Sequence, residues 1–115
     1  MLYFLKSFLY AMRGVHYLIL TELNIKVELV IAAFVLISAW WLELSIVKWC
    51  ILLLCIGMVI TAEALNTAIE ILTDKVSPDY HELAEKTKDV AAGGVLLASI
   101  CSVIIGLLVF GSALI

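Results

Sequence analysis

Three apolar blocks constrain this chain more than any other feature. They cover roughly residues 25–42, 46–72 and 90–115. Each is close to or above the ~20 residues a helix needs to cross a bilayer. Residues 29–42 carry no charge, and neither do residues 90–115. All three blocks exceed the length of a signal-peptide core, and no Ala-x-Ala pattern follows the first. Composition agrees: 65% of the 115 residues are hydrophobic and 15% charged, against about half and a quarter in soluble domains. So short a chain cannot bury that much apolar surface in a core of its own. The predicted class is an all-α integral membrane protein, with residues 1–115 as one domain.

The net charge of −3 comes without any basic run, so nucleic acid is not a predicted partner. Cys50, Cys55 and Cys101 all fall inside apolar blocks. Their number and spacing suggest neither a disulfide framework nor a metal site. They read as small packing residues.

Residues 1–21 differ from the rest. Tyr3, Lys6, Tyr10, Arg13 and Tyr17 recur every three or four residues and share one helical face. Basic and aromatic residues along one side of an apolar helix suit an amphipathic surface helix. As a fourth span it would place Lys6 and Arg13 in hydrocarbon. Topology follows from basic residues. Lys6, Arg13 and Lys26 precede or open the first block, and Lys75, Lys86 and Lys88 follow the second. The positive-inside rule puts the N-terminus and the 73–89 segment in the cytoplasm.

In that segment Ser77-Pro78 reads as a helix start, with Ser as N-cap and Pro in the first turn. Asp79 suits the dipole there, and Glu82 with Lys86 forms an i, i+4 pair. Gly93-Gly94 would admit a close neighbouring helix.

Chemistry concentrates late in the second block. At about 100° per residue Glu63, Glu70 and Asp74 occupy one narrow sector, flanked by Asn66 and Thr67. An acid within a span costs about 2.5–3.5 kcal/mol on insertion scales, so a pair on one face marks function more often than accident. The bland alternative is a polar clamp between helices. At about 1.5 Å per residue, Glu70 lies roughly 6 Å and Glu63 roughly 16 Å below Asp74. Glu70 is thus predicted at the headgroups, and Glu63 among the first hydroxyls of a lipid. Glu70 and Glu22 are hard oxygen ligands suited to Mg²⁺ on nucleotide phosphates. A desolvated Glu63 suits a general base. Lys88 is placed to neutralise phosphate, and Asp89 to orient polar groups. No Walker motif or soluble-kinase signature accompanies them.

The chain resembles a known family, the small prokaryotic diacylglycerol kinases and their undecaprenol kinase relatives. Residues 62–70, AEALNTAIE, look like its central signature, and residues 86–95, KTKDVAAGGV, resemble its second. Asp74, SPDYHELAEK, the N-terminal KSFLYAMRG and the acid of TELN also match, so the resemblance covers essentially the whole chain. It implies a homotrimer of subunits with one surface helix and three transmembrane helices, with active sites shared between subunits. It implies a multi-pass protein of the bacterial inner membrane that phosphorylates diacylglycerol or undecaprenol with ATP and Mg²⁺. By motif position Glu63 would be the catalytic base, Glu22 and Glu70 the Mg²⁺ ligands that also meet ATP, and Asn66 an active-site neighbour. Tyr10, Asp79, Tyr80, His81, Lys88 and Asp89 would contact ATP, and Lys6 and Arg13 phosphate or anionic lipid. Two stretches depart from the pattern. Tyr3 stands where some relatives are basic, and Ile25-Lys26-Val27 replaces a commoner aromatic–Arg pairing. Outside the resemblance, a proton-coupled multidrug-type transporter with four spans, or a noncatalytic membrane subunit, would also explain a buried acid.

Overall fold

A computed structural model describes all residues, Met1–Ile115, as four helices: α1 Leu2–Thr21, α2 Leu23–Trp41, α3 Ile46–Val76 and α4 Glu82–Leu114. Three of them, α2, α3 and α4, are long and apolar enough to cross a membrane. At 1.5 Å per residue α2 spans roughly 28 Å, about one hydrocarbon thickness. The 31 residues of α3 and 33 of α4 exceed that thickness, so one end of each extends beyond the hydrocarbon.

No residue of α1 is buried, and its main packing partner is α2. A single extended residue, Glu22 (φ −97°, ψ 113°), separates α1 from α2. The Glu22 N–H still donates to the Leu18 carbonyl (3.0 Å), so the redirection leaves little backbone unpaired.

Helix α2 presents one seam to α3. Its buried residues are Ile25, Ala32 and Ala39, and half-buried Glu28 and Val35 fall between them. That spacing of three and four is the period of two helices packed at a shallow angle. Alanine at 32 and 39 lets the backbones approach. The helix ends in a short turn where Glu43 takes a left-handed conformation (φ 52°). Ser45 then caps α3, its side chain accepting from the Lys48 N–H (3.4 Å).

The main pairing is α3 with α4. The apolar core lies at the end of the bundle near the α2–α3 turn, where Ala39, Leu52 and Val109 meet Val35, Trp49, Ile105 and Phe110. Midway along, the Ser102 hydroxyl of α4 donates to the Cys55 carbonyl of α3 (3.4 Å).

One sequence expectation is corrected here. Ser77-Pro78 ends α3 instead of starting α4. Ser77 is the C-cap of α3, with φ −134° and ψ 77°, because a following proline disfavours helical geometry. The cap of α4 is His81, whose Nδ1 accepts from the Leu83 N–H (3.1 Å). Glu82 and Glu85 supply the first-turn acids, and Glu82 does meet Lys86 at 3.7 Å. Gly93-Gly94 faces open space in the single chain. A Cβ at either glycine would meet nothing within 4 Å, so no helix of the same chain uses that opening.

Candidate active site

Helix α3 arranges its acids by depth. Glu63 and Thr67 are each only 5% exposed. One turn onward Asn66 and Glu70 are half-buried, and Asp74 is exposed. The gradient runs along one face, as a 3.6-residue period requires. The Asn66 side-chain amide donates to Glu70 Oε1 (3.2 Å), four residues on. Asn66 Oδ1 is buried without a partner. A buried, unsatisfied amide oxygen costs on the order of 1–3 kcal/mol, which a cation or a donor would relieve.

Helix α4 adds the cation. The Lys88 ammonium donates to the Asp74 carboxylate. This hydrogen bond, with help from the charges of Asp74, Glu70 and Glu85, holds Lys88 above the usual lysine range. Lys88 lies on the polar extension of α4, two residues before the uncharged stretch from Val90. The lysine expected to meet phosphate is therefore held over the α3 acids. Asp89 is exposed beside it.

Other predicted residues stand apart. Asp79, Tyr80 and His81 are exposed on the connection between α3 and α4. His81 also borders a cleft of about 430 Å³ with Leu72, Thr73, Val76 and Leu83. Lys6, Tyr10 and Arg13 are exposed on α1, where the Arg13 guanidinium lies 5.6 Å from the Tyr10 ring centroid. Glu22 is half-buried at the α1–α2 joint. No three acidic, histidine or cysteine side chains of the chain assemble into a metal-binding group. The chemistry of Glu22, Glu70 and the orphaned Asn66 Oδ1 nonetheless fits Mg²⁺, which takes one or two carboxylates and fills its octahedron with phosphate and water oxygens.

One half-buried acid escaped sequence reading. Glu28 on α2 lines an apolar cleft bounded by α2, α3 and α4, and its Oε2 is buried without a partner. Its signal was present: an acid at three- and four-residue spacing with Ile25, Ala32, Val35 and Ala39 sits on the packing seam of its helix.

The chain matches the prokaryotic diacylglycerol kinase family over residues 9–110. It is 44% identical over 107 residues to an undecaprenol kinase of Bacillus subtilis (strain 168), covering 93% of this chain and 87% of that protein. A diacylglycerol kinase of Synechocystis is 42% identical over 103 residues, 89% of this chain and 59% of the relative. A diacylglycerol kinase of Escherichia coli (strain K12) is 30% identical over 95 residues, 83% of this chain and 78% of the relative.

Proposed function

Because the chain belongs to the prokaryotic diacylglycerol kinase family and is therefore a lipid kinase, we propose that Glu63 is the base that activates the lipid hydroxyl for attack on Mg-ATP. The observation that carries this reading is the depth gradient on α3. Glu63 is buried, Glu70 half-buried and Asp74 exposed. A lipid alcohol held at the membrane interface reaches the first, and a soluble nucleotide reaches the others.

In the reaction the hydroxyl oxygen attacks the γ-phosphorus, and its proton passes to Glu63. The bond to the β,γ-bridging oxygen breaks, and its electron pair leaves with ADP. Such transfers depend on alignment and charge neutralisation more than on covalent help from the protein. Glu70 and Glu22 would hold Mg²⁺, which screens phosphate charge when bound. Asn66 orients Glu70 through the 3.2 Å hydrogen bond. Lys88, already over Asp74, would exchange part of that contact for phosphate oxygens, with Asp89 beside it. Tyr10, Asp79, Tyr80 and His81 contact the nucleotide, and Lys6 and Arg13 meet phosphate or anionic headgroups.

The working unit is a homotrimer with sites between neighbouring subunits. Its support is the bare surface of the single chain: only 6% of the most apolar stretch of α4 is buried. The protein lies in the bacterial inner membrane with its N-terminus and residues 73–89 cytoplasmic, as the distribution of Lys and Arg indicates. The transporter alternative asked for four spans, whereas three helices have the required length and character. The kinase relatives displace it.

The acceptor is a lipid alcohol, and undecaprenol and diacylglycerol both offer one. Protein in bilayers is given labelled ATP and each lipid in turn. Glu63→Gln should lower turnover by about 10²-fold or more with either lipid, the scale of losing a general base, while the oligomer stays intact. Near-normal turnover by this variant would remove Glu63 from the role.

A further inference from the structure

Thr67 is a buried polar residue that the reaction leaves unused. Of the eight buried residues of the chain six are apolar, and the two polar ones are Glu63 and Thr67, each 5% exposed. Both lie on α3, one turn apart. At about 100° per residue Glu63, Thr67, Glu70 and Asp74 share a sector of roughly 60°. Thr67 therefore belongs to the same face as the acids, between the deepest of them and the next.

A serine or threonine in a helix can give its hydroxyl to the carbonyl four residues back. Ser7, Thr21 and Thr87 do so, donating to Tyr3, Tyr17 and Leu83 at 3.1, 2.6 and 2.8 Å. These three are exposed, where water would serve as a partner in any case. Thr67 makes no such bond, although burial is what makes an unspent hydroxyl costly. Ionised Glu63 and Glu70 only accept hydrogen bonds, and the Asn66 amide is turned to Glu70. Thr67 thus brings an uncommitted neutral donor to an acidic face.

Its height along the helix says what that donor meets. At about 1.5 Å per residue Thr67 stands roughly 6 Å to the cytoplasmic side of Glu63 and roughly 4.5 Å short of Glu70. With the acceptor hydroxyl at Glu63 and Mg-ATP at Glu70, the group between them is the γ-phosphoryl being transferred. Its three equatorial oxygens carry charge in the transition state.

We propose that Thr67 is a catalytic residue whose hydroxyl donates a hydrogen bond to an equatorial oxygen of the γ-phosphoryl group during transfer. This inference rests on the reading of Glu63 as the base. The lipid oxygen forms its bond to phosphorus, the bond to the β,γ-bridging oxygen breaks toward ADP, and the lipid proton goes to Glu63. Thr67 keeps its own proton throughout. Its hydroxyl lowers the stability of the resting bundle and is satisfied only when the phosphoryl group is in place.

The test compares wild type, Thr67→Val and Thr67→Ser in bilayers at saturating Mg-ATP, with each lipid alcohol that wild type phosphorylates. Valine keeps the shape of threonine and removes the hydroxyl. It should lower kcat by about 10²-fold, the scale of losing one donor to developing charge. The factor should be the same for every accepted lipid, because the phosphoryl group is common to all, and both KM values should stay within about threefold. Serine restores the donor and should keep kcat within about fivefold of wild type. Unfolding midpoints in a mild detergent supply a readout that a packing role would move the other way. Thr67→Val should unfold at or above the wild-type midpoint, since it removes a buried hydroxyl without a partner. A kcat for Thr67→Val within threefold of wild type overturns the proposal. So does serine as slow as valine, a loss confined to one accepted lipid, or a lowered midpoint or failed assembly in Thr67→Val. Failure of the base reading would appear elsewhere, as near-normal turnover by Glu63→Gln.

Discussion

At Asn66 the two ends of one amide have different fates. The nitrogen is committed to Glu70 Oε1, and the oxygen is buried without a partner. A side chain with that arrangement restrains a metal ligand and holds an acceptor in reserve. Asn66→Ala removes both. The expected result is a rise of about 10–100-fold in the Mg²⁺ concentration needed for half-maximal turnover, the usual consequence of losing an orienting partner. Titrating activity against Mg²⁺ at fixed ATP measures it, and an unchanged midpoint would detach Asn66 from the metal. Lys88 behaves differently. Its contact with Asp74 raises the lysine above its ordinary range. The sign is that of a cation gaining a partner: the pair is complete at neutral pH and is lost only as pH climbs through the raised value. Both side chains are substantially exposed, so the pair adds little to stability and is weakened by salt. Its importance lies in where it holds the ammonium.

At the scale of elements, the α2 seam sets how closely α2 and α3 pack. Ala39 is completely buried against Leu52 and Val109, which leaves no room for a larger side chain. Ala39→Leu should destabilise the bundle by about 1–3 kcal/mol through overpacking. Trp40→Leu, at a residue 73% exposed, should change stability by no more than about 0.5 kcal/mol. Unfolding midpoints in a mild detergent separate the two, and equal effects would mean that the seam does not pack as described. The α3–α4 connection shows how a local signal can be right in chemistry and wrong in place. Pro78 does punctuate the helices, but by stopping α3, and His81 takes over the capping that was expected of Ser77. A proline one residue past a cap fits a helix end as well as a helix start. Only the backbone of the neighbouring turn decides between them.

For the whole molecule, the bare surfaces matter most. One chain buries eight of its 115 residues, and α1 carries its exposed Tyr10 and Arg13 while packing mainly on α2. If α1 of one subunit serves the α3 acids of the next, two inactive variants should complement each other. Glu63→Gln and Arg13→Ala subunits, each impaired alone, should regain about a quarter of wild-type turnover when mixed at random in one oligomer. Absence of recovery in verified mixed oligomers would place each site within one subunit.

The sequence by itself determined the features that depend on near neighbours along the chain. The lengths of three apolar blocks set the spanning helices. The 3.6-residue period placed Glu63, Asn66, Glu70 and Asp74 on one face and ordered them by depth. The matched motifs named the chemistry. Tertiary structure alone decided what depends on the register between helices. It set Lys88 over Asp74, fourteen residues away, left Gly93-Gly94 open, and put Glu28 on the wall of the apolar cleft between α2, α3 and α4. Periodicity tells which face of a helix a side chain occupies. It does not tell which turn of the neighbouring helix that face meets, because the match depends on how small residues such as Ala32 and Ala39 let the two backbones settle.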